Sequence, residues 1–333
     1  MLDIQRLQRI RLNRTPLMQR VVGQILRLNY GLLPGVRIEL EDAHRMPPEP
    51  VIFAMNHTDR YNYFPFQVFM WRHYNRFTTT WVKGKYYENA LLGGFMEKTN
   101  QLPTVSRGYL ISKDFTSAMG RRPTNEEYAA LSRWVSLAAD GASEAHQPPL
   151  DAVPGQLLNE SRDVLGYAFD SAKQDYASYI NAIFRSMMRR FVELNDEAAR
   201  AKLDILIFPQ GTRSVRLLPG RIGIAQIALH TRLPIVPVGC NGSDRVYPGA
   251  SPFAKRGRIV YRIGEAIEYA DIPQFHPAAE FEPFSAEAES QHQACFEGLA
   301  ELITRRIDPL LDPRHQLASE AGDDETKGSD RFI

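Results

Sequence analysis

The sequence predicts an α/β fold, a mixed β-sheet flanked by helices with a helical insertion, and three observations carry it. Val51-Ile-Phe-Ala-Met55 and Asp204-Ile-Leu-Ile-Phe208 are apolar runs of strand length, and each passes directly into a polar turn. Between such runs lie segments of helical spacing, the longest carrying Tyr176, Tyr179, Ile180, Ile183, Phe184, Met187, Phe191 and Leu194. At 333 residues, 44% hydrophobic and 24% charged, the chain has room for one large α/β domain with additions, or two small ones.

Residues 1–35 form a basic segment, in which Arg6, Arg9, Arg11, Arg14, Arg20 and Arg27 stand against Asp3 alone. Thr15-Pro16 reads as an N-cap with proline at the first helical position. Leu17, Met18, Val21, Val22, Ile25 and Leu26 can share one face of the helix that follows, while Leu7 and Ile10 belong to a shorter turn before it. Arginines beside an apolar face suit a helix on an anionic membrane surface, and equally a helix packed on the domain with its arginines in water. Leu33-Pro34-Gly35 ends the helix, and Val36-Arg-Ile-Glu-Leu40 alternates as a first strand.

The main domain runs from 36 to 315. After the Val51 strand, the stretch from Phe64 to Tyr74 is strongly aromatic, as core segments are. Thr78 to Val82 reads as a strand that delivers Lys83, followed by a helix near Tyr86 to Met96, and Leu102 to Val105 as a strand that delivers Arg107. The stretch from 108 to about 178 is longer than a join between elements needs and reads as the insertion. Within it Thr124-Asn-Glu-Glu127 is a capping box starting a helix to about Ala139, and Pro148-Pro149 and Pro154-Gly155 break the chain. Ile222 to His230 is a helix with small Ala225 and Ala228 to pack closely on the sheet. Pro234 to Val238 and Arg258 to Ile263 are strands, Gly264 to Ile267 an edge-like extension, and Ser285 to Ile307 a last amphipathic helix. Residues 316–333, rich in Gly, Ser, Asp and Glu, are predicted to be a disordered tail.

Composition excludes several classes. Two cysteines, Cys240 and Cys295, make no disulfide framework and suit a reducing cytosol; the chain shows no zinc pattern, so no metal is predicted. A net charge of +1 argues against a protein dedicated to nucleic acid. There is no apolar run of membrane-spanning length and no signal peptide, so the prediction is a cytoplasmic protein peripherally attached to the membrane.

The chemistry centres on His57. Asn56-His57 stands where the Val51 strand must turn, and open α/β sheets place ligands at the carboxyl ends of strands. Thr58 and Asp59 suit the opening of the next helix. Asn62, five residues on, reaches His57 only if His57 sits just before that helix. A histidine with one ring nitrogen held by such a partner can take a proton on the other. Asp59, two residues from His57, is expected to face away. In the second turn Gly211 lets the backbone approach a ligand, successive N–H groups can form an anion nest, and Arg213 can complete it.

These stretches, in order, resemble the glycerolipid acyltransferase family, the enzymes that make phosphatidic acid from lysophosphatidic acid and their relatives. The family carries Asn-His, four residues, then Asp, and later Phe-Pro-Glu-Gly-Thr-Arg-Ser. This chain reads Asn56-His57-Thr-Asp-Arg-Tyr-Asn62 and Phe208-Pro-Gln210-Gly-Thr-Arg213-Ser214, with amides at Asn62 and Gln210 where the family has carboxylates. Leu102-Pro-Thr-Val-Ser-Arg107 and Pro234-Ile-Val-Pro-Val238 match two further blocks, and the resemblance covers roughly residues 36 to 310. It implies a glycerol-3-phosphate acyltransferase-like fold with a catalytic His57 and Asn62. It implies substrate binding by Arg107, Gln210, Gly211, Thr212 and Arg213, with the aromatic stretch bordering an acyl-chain channel.

The implied reaction is acyl transfer from acyl-coenzyme A or acyl-carrier protein to a hydroxyl of a glycerophosphate, lysophospholipid or related lipid at a membrane surface. No cofactor is implied. The alternatives are a catalytically silent relative that binds lipid or acyl-coenzyme A, and a thioesterase-like hydrolase. Loss of the Asn62 and Gln210 carboxylates favours the silent relative; retention of Asn56, His57, Gly211 and Arg213 favours the enzyme.

Overall fold

The computed structural model of the protein describes residues 2–31, 35–141 and 152–317. In chain order the elements are α1 (Ile4–Arg9), α2 (Leu17–Gly31), β1 (Val36–Glu41), β2 (Ile52–Met55), α3 (Tyr63–Tyr74), β3 (Thr78–Lys83), α4 (Ala90–Lys98) and β4 (Gln101–Thr104). There follow α5 (Arg107–Met119), α6 (Asn125–Ala139), α7 (Gly155–Asn159), β5 (Arg162–Asp163), β6 (Ala168–Phe169) and α8 (Tyr176–Arg200). The last part comprises β7 (Asp204–Ile207), α9 (Gly223–Thr231), β8 (Ile235–Asn241), α10 (Ser243–Val246), β9 (Gly257–Ile263) and α11 (Ala286–Ile307).

The main sheet has the order β1-β9-β8-β2-β7-β3-β4. Strands β8, β2, β7, β3 and β4 are mutually parallel; β9 is antiparallel to β8, and β1 is parallel to β9. This is the mixed sheet that the apolar runs predict. Val51, Ile52, Phe53 and Met55 lose all exposure, each burial worth about 1.5–3 kcal/mol, because β2 lies mid-sheet with both faces covered. Ile52 and Ala54 pack towards α9 and α11, whereas Phe53 and Met55 pack towards α2 and α3.

The carboxyl ends of β8, β2, β7, β3 and β4 share one edge of the sheet. That edge receives His57 after β2, Gln210 after β7, Lys83 at the end of β3 and Arg107 after β4. The predicted insertion is helical where described, with the capping box at Thr124 formed as expected, and it adds the small β5–β6 ribbon. It is no appendage: Leu110, Ile111, Phe115, Leu131 and Trp134 share a core with Tyr87, Leu102 and the buried face of α8. Pro148 and Pro149 lie outside the described residues.

The start of the basic segment packs on the domain with most of its arginines in water: Leu2, Ile4, Leu7 and Ile10 are buried, Arg9, Arg11 and Arg14 are exposed, and Arg6 donates to Glu97 at 2.8 Å. The apolar face of α2 is divided between core and surface. Val22, Gly23 and Leu26 turn inward, while Leu17, Val21, Ile25 and Leu28 form an outer stripe, 68, 42, 55 and 60% exposed. The helix runs to Gly31, and Leu33 and Pro34 lie outside the described residues. At the other end, Gln316 and Leu317 are held rather than loose. Arg216 donates to both their carbonyls at 3.2 and 3.3 Å, and Leu317 N donates to Asp308 at 2.6 Å. The rest of the predicted tail, 318–333, lies outside the described residues. Among the described residues no helix is long and apolar enough to cross a membrane.

Candidate active site

His57 follows β2 by two residues, in a loop that runs to Asn62, and α3 begins only at Tyr63. The helix thus opens later than Thr58 and Asp59 suggest. Asp59 instead accepts from Tyr61 N at 2.8 Å and Thr58 Oγ1 at 2.9 Å within the loop. These bonds fold the loop tightly enough for Asn62 to reach back, and His57 Nδ1 lies 3.0 Å from Asn62 Oδ1.

The orientation of Asn62 is fixed from its other end. Its Nδ2 donates to Asn56 O at 2.8 Å, so Oδ1 must be the atom that faces His57. An acceptor at Nδ1 places the ring proton there and leaves Nε2 with a free lone pair. Asn62 is wholly buried, and Tyr261 donates its hydroxyl to Asn62 O at 2.5 Å. Asn56 anchors the loop to the sheet: its Oδ1 accepts from Cys240 N at 2.7 Å and its Nδ2 donates to Cys240 O at 3.0 Å.

Gln210 acts as a clamp, not as a wall of a pocket. It is 1% exposed; its Oε1 accepts from His57 N at 3.3 Å, and its Nε2 donates to His57 O at 3.4 Å and Thr212 O at 3.0 Å. A carboxylate would satisfy the first bond and neither of the others. Gly211 has φ +68°, a left-handed conformation that glycine adopts without steric cost. The predicted nest is smaller than expected. Gly211 N donates to Phe208 O at 3.0 Å and Ser214 N to His57 O at 2.9 Å, which leaves the N–H groups of Thr212 and Arg213 open among the described residues. The Arg213 side chain is exposed beside them.

Electrostatically, His57 is held neutral. Burial comes first in drawing its pKa down to about 3; the Asn62 hydrogen bond opposes this, and the charges of Arg213 and Lys83 reinforce it. Its ring stacks on Phe208, centroids 3.9 Å apart at 15°. Phe208, Lys83 and Tyr261 were not legible as site residues, although Phe208 ends the apolar run that delivers Gln210.

Arg107 is not brought to this group. Strands β7 and β3 lie between β4 and β2, a lateral separation of three strand spacings or roughly 14 Å. Its Nε donates to Asn181 Oδ1 at 2.8 Å, and it lines a separate recess against α8. A different, shallow recess borders α3, and its apolar lining includes Val22, Leu26, Phe64, Val68, Trp71 and Phe95. Tyr63, also in its wall, lies edge-on to Phe208 at 6.2 Å and so links it to His57.

The chain matches no protein-family model. It is 48% identical over 67 residues to a 1-acyl-sn-glycerol-3-phosphate acyltransferase of Cocos nucifera, a match covering 18% of this chain and 22% of that one. It is 30% identical over 93 residues to the human 1-acyl-sn-glycerol-3-phosphate acyltransferase beta, covering 26% and 34%. The chain thus spans between a fifth and about a third of the length of these curated relatives. Among solved structures, the 1-acyl-sn-glycerophosphate acyltransferase PlsC of Thermotoga maritima aligns over 87% of this chain and 84% of its own, at 12% identity and a TM-score of 0.42. On the two sequence matches, the resemblance of this chain to the glycerolipid acyltransferase family holds.

Proposed function

We propose that the protein is an O-acyltransferase that moves a fatty acyl group from a thioester, acyl-coenzyme A or acyl-carrier protein, to a hydroxyl of a glycerophosphate, lysophospholipid or related lipid. The observation that carries this reading is the chain from Asn56 O through the Asn62 amide to His57 Nδ1, which leaves Nε2 as the proton acceptor. As the acceptor oxygen attacks the thioester carbonyl carbon, its proton passes to Nε2. The tetrahedral intermediate then breaks its C–S bond, and the departing thiolate takes the proton back from the imidazolium.

The acceptor's anionic group belongs at Gly211, Thr212 and Arg213, where two N–H groups are open among the described residues and an arginine is exposed beside them. A bound phosphate there would offset the charges of Arg213 and Lys83, the smaller of the causes that disfavour the imidazolium, while burial, the largest, still keeps His57 neutral at rest. The apolar side chains beside α3, Val22, Leu26, Phe64 and Phe95, offer the acyl chain a surface to lie against. The outer stripe of α2, with Leu91 and Leu92 of α4 exposed nearby, suits contact with the lipid surface that supplies the acceptor.

The test is incubation of purified protein with radiolabelled acyl-coenzyme A or acyl-carrier protein and a total lipid extract, beside His57→Ala. The expected result is a labelled lipid whose formation falls about 10²- to 10⁴-fold in the variant. An undiminished rate would end the general-base assignment, and donor binding without product from any extract would make the protein a silent relative.

A further inference from the structure

A second recess opens on the face of the sheet opposite the one beside α3. The alternation of β3 separates the two: Thr78 and Thr80 accept from Gln67 of α3, while Trp81 points the other way, against Phe191 and Phe284. Its walls are the start of α5, the end of α6, the first half of α8 and the turn before α11.

Arg107 is set in this wall for an anion. Asn181 takes its Nε–H and is itself held by donating to Val135 O at 2.9 Å, and the guanidinium lies 4.2 Å over the Phe184 ring. Its plane is therefore fixed while Nη1 and Nη2 make no hydrogen bond among the described residues. Arg185, one turn along α8 from Asn181, lines the same recess with no ion pair among the described residues, and each cation repels the other. The carboxylate in the wall, Glu282, is already engaged by Arg189 at 2.5 Å. Glu289 accepts from Gln226 at 3.0 Å, and Asp140 at the end of α6 is the remaining acid that Arg107 feels. Ser285 caps α11, whose first N–H groups stand beside Ala286 in the wall.

The wall is also shaped at a conformational cost. Phe284 has φ +65°, unfavourable for a bulky side chain, and its N–H is held by Oε1 of the wholly buried Gln226. Guanidinium donors on one side and the carbonyl end of α6 at Ala139 on the other match a ligand that joins a phosphate to hydrogen-bond donors, as a nucleotide does.

From this we infer that the recess binds a phosphate-bearing ligand of the nucleotide class, its phosphate on Arg107 and Arg185. The inference rests on the proposed acyl transfer in one respect, the source of the ligand. A coenzyme A thioester ends in a nucleotide, whereas a carrier-protein thioester does not.

The experiment is calorimetric titration of the full chain with adenosine 3′,5′-bisphosphate, then with inorganic phosphate, in wild type, Arg185→Glu and Asn181→Leu. Thermal melts check that each variant is folded. The bisphosphate should bind more tightly than phosphate, and Arg185→Glu should weaken it by about tenfold or more, as loss of a charge-assisted contact does. In turnover the same variant should raise KM for acyl-coenzyme A and leave KM for the acceptor unchanged. Absence of bisphosphate binding to wild type, or equal binding by both folded variants, overturns the inference. Since binding is read without turnover, a protein that binds bisphosphate here yet transfers no acyl group upholds the inference while the proposed function fails.

Discussion

Two buried polar clusters in this molecule are held together by opposite means. Around His57 the groups are amides: Asn56, Asn62 and Gln210 each use both ends of the side chain, and none adds a charge. Between α5, the β5–β6 ribbon and α8 the group is an ion pair. Arg162 donates to Asp114 at 3.0 and 2.6 Å, Tyr179 adds a bond at 3.2 Å, and Asp114 has no exposure. An amide fixes direction without changing the local potential, which matters beside a base that must stay neutral. An ion pair tolerates no loss of either partner, which matters only for holding the insertion down.

The sharpest way to break the second cluster is Asp114→Ala. It leaves the Arg162 guanidinium buried without its partner and is expected to lower stability by about 3–5 kcal/mol. Urea denaturation measures this. Acyl transfer by the remaining folded protein should be unchanged, because no atom near His57 is touched; a fall in turnover per folded molecule would show that the clusters are coupled.

Asn62→Asp tests the first cluster by adding the charge it lacks. Activity needs neutral His57, whose depressed pKa near 3 leaves the native rate flat between about pH 5 and 8. A carboxylate 3 Å away favours the imidazolium, so the acid limb should move up towards the ordinary histidine range near 6.5. The variant would then lose activity on acidification where the native protein does not. An acid limb that stays in place in the kcat/KM profile would remove Asn62 from contact with the working histidine.

The strands and the His57–Asn62 pair were legible because they rest on local physics. Four consecutive apolar residues at Ile52–Met55 admit few places in a sheet, and a spacing of five closes if residues 58–61 fold into a loop. The sheet order was not legible, and it is the order that sends Arg107 to another recess. Nor was the burial of α1 or of His315, since each depends on a distant surface. His315 Nδ1 donates to Val215 O at 2.7 Å, 100 positions back in the chain, just past the Gly211 turn. Gln210 was legible as a departure from the family's carboxylate but not as a clamp, because an amide's role is set by the backbone groups that face it.

Gln210→Glu puts that last point to the test, with the smallest of the three effects. The carboxylate can still accept from His57 N, but it loses both donations, to His57 O and Thr212 O, and faces two carbonyl oxygens instead. Two long or moderate hydrogen bonds replaced by repulsion should cost about 1–3 kcal/mol. The sign with pH follows from the burial. A carboxyl held among carbonyls has its pKa raised in the folded state, and when protonated it can donate as the amide did. The deficit should therefore be largest at neutral pH and shrink as pH falls through the raised folded value. A pH series of urea midpoints on Gln210→Glu and wild type reads this directly. A deficit that is constant with pH would mean the side chain has swung out to solvent, and that the clamp on His57 is dispensable for the fold.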